Sequence, residues 1–160
     1  MGIVLARVDN RLVHGQVLEA WVPRCRIQAI VVVDAELCTD SLRRNILEAL
    51  GRGGTPVELR SPKEATALLG GPLRDRRVLV LFAGVAEARE ARRGGVRFDA
   101  LNLGNIHPRP GSRPLTPSVY LTPEDEEGLW ALAAEGVDLD ARAVPADRSP
   151  DILGFLGRRP

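Results

Sequence analysis

Short apolar runs alternate with helical segments along the chain, and this alternation constrains the fold more than any other feature of the sequence. Seven runs have the length and composition of strands, at residues 3–7, 29–33, 56–60, 76–82, 98–103, 118–121 and 138–144. Helical patterns lie between most of them, at residues 16–23, 38–50, 62–69, 85–93 and 123–135, with a last short helix from Pro150. Strands separated by single helices pair in parallel through right-handed crossovers. The sequence therefore predicts an α/β fold with one open, mostly parallel sheet of about seven strands and helices on both faces.

Three of the helix starts share one signal, a hydroxyl residue followed by proline and an acid in the first turn. The hydroxyl residues are Ser61, Thr122 and Ser149. A hydroxyl oxygen at the N-cap accepts a hydrogen bond from the helix backbone, and proline fits the first helical position. The pattern predicts that each of these residues caps the helix that follows it.

The length of the chain favours one domain spanning residues 1–160. A chain of 160 residues with 44% hydrophobic residues suffices for a single core. The stretch 107–117 is rich in proline and glycine, but the roughly 40 residues after it are too few for an independent core. We therefore expect this stretch to be a long surface loop within the domain.

Charge and hydropathy exclude several classes of partner. The 22 basic and 21 acidic residues give a net charge of +1 without a long run of either sign, so nothing indicates a nucleic-acid partner or an anionic membrane surface. No apolar run approaches the roughly 18 residues of a membrane span, and the first residues do not resemble a signal peptide. The sequence predicts a soluble, cytoplasmic protein with no direct membrane insertion.

Neither a metal nor a nucleotide cofactor is indicated by the sequence. Cys25 and Cys38 lack metal-binding spacing, and they are expected to be ordinary, partly buried thiols. His14 and His107 have no nearby cluster of further ligands. No glycine-rich nucleotide-binding motif occurs.

The run R-V-D-N-R-L-V-H-G-Q-V at residues 7–17 carries most of the functional information. It follows a strand and precedes a helix, which makes it a strand-to-helix loop. His14 is then expected beside the first free N–H groups of the helix, and Gly15 allows an anion to approach the backbone. Arg7 and Arg11 add two permanent positive charges. The combination predicts a site for a phosphoryl group, with His14 as the nucleophile and Arg11, Arg7 and Gly15 as its phosphate contacts.

For most of these residues, the sequence leaves a second interpretation open. Arg11 can contact phosphate or form a surface salt bridge, and Arg7 can contact phosphate or pair with Asp9. Asp9 can orient His14, orient an arginine or cap the loop. Gln16 can offer a polar contact to the site or be an exposed residue of the first helical turn.

Residues after other strands are candidates for a supporting role. The loops at the carboxyl ends of parallel strands meet at one edge of the sheet, so the loop of His14 should meet those after Val33, Phe82 and Leu103. Asp34 and the stretch 104–107 thereby become candidates. His107 is more simply interpreted as a surface residue than as a second catalytic group.

The run at residues 7–17 resembles the active-site loop of the enzyme IIB component in the mannose/fructose/sorbose family of the bacterial sugar phosphotransferase system. The family pattern is close to R-[IV]-D-x-R-L-[IV]-H-G-Q-V, and every fixed position occurs here. The resemblance extends over the whole chain. One departure is the segment L-N-L-G-N at residues 101–105, where Asn105 stands in place of the second glycine of the family's N-[VI]-G-G stretch. This departure leaves the shape of that loop open.

The resemblance implies a phosphocarrier that needs no cofactor and no metal. His14 would accept a phosphoryl group at Nδ1 from phosphorylated enzyme IIA and pass it to a sugar held by the membrane components IIC and IID. Two alternatives remain open at this stage. One is a stand-alone regulatory phosphoacceptor related to IIB, and the other is a small-molecule binding module that has lost catalysis.

Overall fold

A six-stranded sheet forms the centre of the fold in the computed structural model, which describes residues 2–157. Its strands are β1 (Gly2–Asp9), β2 (Ala29–Val33), β3 (Val57–Arg60), β4 (Arg77–Phe82), β5 (Ala100–Asn105) and β8 (Asp138–Asp140). They lie in the order β3-β2-β4-β1-β5-β8, and all pairs are parallel. The α/β class and the open parallel sheet are thus confirmed. Residues 1 and 158–160 of the predicted domain lie outside the described part.

Helices cover both faces of this sheet, as predicted. They are α1 (Val22–Cys25), α2 (Ser41–Ala49), α3 (Pro62–Gly70), α4 (Val85–Arg93), α5 (Pro123–Ala134) and α6 (Ile152–Leu156), with a π-helical turn at Val17–Trp21 and a 3₁₀ turn at Leu37–Thr39. One core packs α3 to α6 against the sheet through residues such as Val80, Ala88 and Leu129. The other packs the π-turn and part of α2 against the opposite face, through Val17 and Leu81 among others.

The parallel sheet contains six strands rather than about seven, because one predicted strand belongs elsewhere. The run 118–121 forms β7 (Val119–Leu121), which pairs antiparallel with β6 (Arg113–Thr116) in a separate hairpin. Strand β6 lies inside the stretch 107–117 that we expected to be a loop throughout. Its Pro114 is tolerated because β6 has a partner on one side only. The prediction of a loop throughout this stretch was therefore wrong, because its proline and glycine content is compatible with a short edge strand.

The last predicted strand is shorter than its apolar pattern indicated. Strand β8 ends at Asp140, whereas the prediction continued to residue 144. Directly after β8, the backbone N–H of Ala141 donates to Ser149 Oγ at 2.9 Å. A side-chain acceptor thus takes the place of a backbone carbonyl on a neighbouring strand. This contact also explains why Ser149 does not cap α6. That cap is Asp151, whose side chain accepts from the N–H of Gly154.

The other two predicted caps are confirmed. Ser61 and Thr122 each form a capping box, with Glu64 and Asp125 respectively. The helix predicted at 38–50 divides in two, because Asp40 caps α2 and separates it from the 3₁₀ turn.

The end of β1 lies where the order of the strands in the sheet reverses. Strand β1 lies between β4 and β5, and its last residue, Asp9, pairs with Asn105. The connection after β1 packs on one face, through Val17, while the helix after β4 packs on the other, through Val85. Crevices at such reversals are the usual ligand sites of open α/β sheets.

No helix within residues 2–157 is both long enough and apolar enough to cross a membrane.

Candidate functional site

The loop after β1 turns sharply and carries His14 back above the strand end. The N–H of Leu12 donates to the carbonyl of Asp9 at 2.9 Å, and Leu12 has a left-handed backbone with φ of 56°. A bulky residue rarely adopts this conformation, which costs on the order of 1–3 kcal/mol. Burial of the Leu12 and Val13 side chains in the core offsets that cost. The helix begins next, and the carbonyl of His14 accepts from Leu18.

His14 is held through one ring nitrogen only. Its Nε2 lies 2.8 Å from Asp9 Oδ2, and Asp9 is fully buried. The same oxygen accepts two N–H groups from Arg7, which marks Asp9 as an ionised acceptor. Nε2 must therefore carry the hydrogen of this bond. Nδ1 makes no hydrogen bond to any residue that the structure describes.

Arg7 lies beneath Asp9 and is fully buried. Burial lowers the pKa of the Arg7 guanidinium, while the neighbouring Asp9 opposes this shift. The Trp21 ring packs 5.3 Å from the guanidinium carbon. The N–H groups of Arg7 donate over 2.6–3.3 Å to Asp9 Oδ2, Asn102 Oδ1, Gln16 Oε1 and the carbonyls of Arg142 and Ala143.

Two roles were left open for Arg7, and in the structure it pairs with Asp9. Six hydrogen bonds use all five N–H groups of its guanidinium. Direct contact between Arg7 and phosphate finds no support in this geometry, because no donor is left over. We refer to Arg7, Asp9, Asn102 and Asn105 as the buried layer of the site.

Arg11 and Gly15 lie above this layer and are exposed to solvent. The backbone N–H of Arg11 donates to Asp9 Oδ1 at 3.0 Å, which fixes the loop. The Arg11 guanidinium makes no hydrogen bond and no ion pair with residues 2–157. Gly15 follows His14 at the helix start, where backbone N–H groups have no partner within the helix. Arg11 and Gly15 form what we call the exposed rim.

Asn10 joins the loop of His14 to two neighbouring loops. Its Nδ2 donates to the carbonyl of Ala83 at 2.7 Å, and its Oδ1 accepts the N–H of His107. Its own N–H donates to the carbonyl of Asn105 at 2.9 Å. The loops after β4 and β5 thus meet the His14 loop, as expected from parallel strands.

Asp34, at the end of β2, has a local role instead. Its Oδ1 accepts the N–H of Leu37 at 2.9 Å and so begins the 3₁₀ turn. No contact joins Asp34 to Asp9 or His14 within the described part of the chain. Its supporting role stays a prediction.

Other features of the described chain lie apart from His14. Residues 2–157 contain no group of three or more His, Cys, Asp or Glu side chains that could hold a metal ion. A cavity of about 720 Å³ lies beside β1 and β5; its lining includes Gly2–Ala6 and, from the buried layer, Asn102, but none of residues 8–17. The His14 side chain is only 13% exposed, and the exposed residues next to it in the chain are those of the rim.

Comparison with known proteins identifies the family. Residues 3–159 match the family model described as the sorbose subfamily IIB component of the phosphotransferase system. The chain belongs to this family. It is 36% identical over 154 residues to the sorbose-specific EIIB component of Klebsiella pneumoniae, covering 96% of this chain and 94% of the relative.

Two further matches extend this result. The crystal structure of the IIBSor domain of the sorbose permease from Klebsiella pneumoniae superposes with a TM-score of 0.86 and 35% identity, covering 96% of this chain and 95% of that one. The mannose-specific EIIAB component of Escherichia coli (strain K12) is 29% identical over 159 residues, which are 99% of this chain and 49% of the relative. The chain is therefore a IIB component of the sugar phosphotransferase system.

Several residues of this IIB site were predicted with the right neighbours. Asp9 takes all three of the roles left open for it, since it contacts His14, contacts Arg7 and accepts from the backbone of the loop. Gln16 is not merely exposed, because its Oε1 accepts from Arg7 and from Asn105.

Other contacts were missed. The carbonyls of Arg142 and Ala143 have no signature in the sequence, and nothing in the sequence marks Trp21, whose Nε1 donates to the carbonyl of Ala143. Asn102, which accepts from Arg7, was missed as well, whereas Asn105 belongs to the candidate stretch 104–107 and does contact Asp9 and Gln16.

Proposed function

We propose that this IIB component accepts a phosphoryl group on His14 from phosphorylated enzyme IIA and transfers it to a sugar bound by the membrane components IIC and IID. The observation that carries the proposal is the hydrogen bond between His14 Nε2 and Asp9. It leaves Nδ1 as the nucleophilic nitrogen, at the start of a helix and in the same loop as an arginine with an unengaged guanidinium. A neutral imidazole with a free lone pair is what attack on phosphorus requires.

The transfer is an in-line displacement at phosphorus. The Nδ1 lone pair of His14 forms the new P–N bond while the bond between phosphorus and the donor histidine of IIA breaks, and its electron pair returns to that imidazole. Positive charge develops on the His14 ring during attack. Asp9 stabilises this charge through the Nε2 hydrogen bond and keeps the ring in place.

The exposed rim supplies the contacts to the transferred group. We assign the equatorial phosphoryl oxygens to the Arg11 guanidinium and to the backbone N–H groups that follow His14 at Gly15. Arg7 acts from below by holding Asp9, and its charge adds to the positive field. These fixed donors give the electrostatic stabilisation that phosphoryl transfer needs, so we propose a reaction without cofactor or metal.

The partners follow from the family. The mannose-specific EIIAB relative carries the IIA and IIB designations in one chain, of which the present chain matches 49% of the length. This supports IIA as the donor. We further propose that residues 1–160 work as a single cytoplasmic domain, that Asp34 supports the site from the neighbouring loop, and that the membrane components select the sugar.

A reconstituted relay tests the proposal. The purified chain is incubated with phosphoenolpyruvate, the general phosphotransferase proteins and a mannose-family IIA. We expect acid-labile, alkali-stable label that is lost in His14→Ala and kept in His107→Ala. Label that survives in His14→Ala would exclude His14 as the acceptor.

A further inference from the structure

Asn105 ends β5 and lies directly beside the carboxylate that holds His14. Its Nδ2 donates to Asp9 Oδ2 at 2.9 Å and to Gln16 Oε1 at 3.1 Å. The residue is 9% exposed and pairs with Asp9 across the two strands. Both hydrogens of the amide are therefore used inside the site.

These contacts fix the orientation of two side-chain amides. Asp9 and Gln16 both present oxygen atoms, so the amide of Asn105 can satisfy them only with its nitrogen toward both. Gln16 Oε1 also accepts from Arg7 Nη2 at 3.3 Å. Two donors thus hold the oxygen of Gln16 toward the buried layer, and its nitrogen must occupy the other side of the amide.

The nitrogen of Gln16 remains available. Nε2 makes no hydrogen bond to residues 2–157, and it is not among the described buried atoms that lack a partner. It is therefore open to solvent. Gln16 lies two residues after His14, in the first helical turn, so this N–H₂ group adds a neutral donor to those of Arg11 and Gly15.

We propose that Asn105 is a positioning residue for phosphoryl transfer, which orients the amide of Gln16 toward the incoming phosphoryl group and restrains the carboxylate of Asp9 that fixes His14. The effect of Asn105 on phosphoryl transfer rests on the proposed function, whereas its effect on the orientation of Gln16 and Asp9 does not. A glycine at position 105 would supply neither donor.

Asn105→Gly and Asn105→Asp test the proposal. The first removes the donor and leaves room for water, while the second places a carboxylate against Asp9 and Gln16 Oε1. Ser118→Ala is the matched control, because Ser118 Oγ donates to the carbonyl of Gly104 in the same loop but touches neither Asp9 nor Gln16. Urea unfolding of each variant establishes that it is folded before transfer is measured.

Nitrogen-15 NMR of the unphosphorylated proteins gives the structural readout. In the parent and in Ser118→Ala, we expect a slowly exchanging proton on His14 Nε2 and a Gln16 side-chain amide distinct from those of mobile amides. In Asn105→Gly, the Gln16 signals should move to mobile-amide values and the Nε2 proton should exchange faster. Unchanged His14 and Gln16 signals in both Asn105 variants would overturn the proposal.

Transfer rates give the catalytic readout. Loss of a supporting hydrogen bond in such a network costs roughly tenfold, so we expect Asn105→Gly to lower the maximal rate of phosphoryl acceptance by that factor with little change in the apparent KM for phospho-IIA. Asn105→Asp should be slower still. A maximal rate within twofold of the parent in both variants would also overturn the proposal. Failure of the parent itself to accept phosphate would refute the proposed function instead, while the NMR comparison would still decide the role of Asn105.

Discussion

The buried layer contains Arg7 and the exposed rim contains Arg11, two arginines of one motif that lie four residues apart. They differ in burial and in hydrogen bonding. Arg7 is fully buried and all its N–H groups are engaged, whereas Arg11 is exposed and its guanidinium is unengaged among residues 2–157. The same charge therefore does different work in the two places. In the buried layer it fixes Asp9 and through it His14, and in the exposed rim it is available to a phosphoryl group. Charge and motif position alone do not separate these roles, but burial does.

The largest effect should come from removing the charge of the buried layer. Arg7→Ala leaves the buried carboxylate of Asp9 without its counter-charge, and breaking a buried pair in this way costs about 3–5 kcal/mol of unfolding free energy. Urea denaturation measures this change. Arg11→Ala is the comparison and should change the unfolding free energy by no more than about 0.5 kcal/mol. Equal losses in the two variants would remove the distinction between layer and rim.

The next effect concerns the rim and is kinetic. Arg11→Lys keeps the charge but loses the planar fork that fits two phosphate oxygens, so phosphoryl acceptance should slow by about 100-fold without loss of stability. Quench-flow measurement of label transfer from phospho-IIA gives the rate. Arg52→Lys, at another exposed arginine, is the control and should match the parent. A rate for Arg11→Lys within twofold of the parent would mean that Arg11 does not bind phosphate.

A third variant displaces Arg7 without removing its charge. A Cβ on Gly104 would overlap the guanidinium of Arg7, so Gly104→Ala should cost about 1–3 kcal/mol of unfolding free energy as the buried layer shifts. Gly70→Ala is the matched control, since a Cβ there meets no atom within 4 Å. Thermal or urea unfolding compares the two. If both substitutions had the same small effect, the packing between β5 and Arg7 would be looser than described.

The smallest effect is expected at Cys25, the last residue of α1, which follows the π-helical turn after His14. Burial raises the pKa of the Cys25 thiol, although Arg77 opposes this shift, so little thiolate is present near pH 7 and labelling should be slow. In a Cys38→Ser background, Arg7→Ala should speed labelling slightly, because Trp21 loses its contact with the guanidinium and the packing of this segment loosens. Arg11→Ala should leave the labelling rate unchanged. The opposite pattern would place Arg11, and not Arg7, in contact with this helix.

Much of the fold could be predicted because its signals are local. Strand and helix periodicity and the caps at Ser61 and Thr122 depend on neighbours in sequence. What failed depended on distant partners. Strand β6 forms because β7 pairs with it. Ser149 does not cap its helix because its Oγ accepts from the backbone N–H of Ala141.

The residues of the site also divide into those that local sequence signals predict and those that depend on distant partners. The motif placed His14, Arg11 and Gly15 at a helix start, but it could not show that β1 continues to Asp9 and buries Arg7 and Asp9 on one face. That extension depends on pairing between Asp9 and Asn105, which are 96 residues apart in sequence. Carbonyl acceptors such as those of Arg142 and Ala143 are common to every residue, so no sequence pattern marks them.

We propose that Asp9 holds Nε2 of His14 and leaves Nδ1 to be phosphorylated. The most direct test is to phosphorylate protein labelled with nitrogen-15 in histidine and to identify, from phosphorus–nitrogen coupling, which ring nitrogen carries phosphorus. We expect coupling to Nδ1 of His14, with the hydrogen retained on Nε2. Coupling to Nε2 would contradict it, because that nitrogen could be phosphorylated only after its hydrogen bond to Asp9 had been broken.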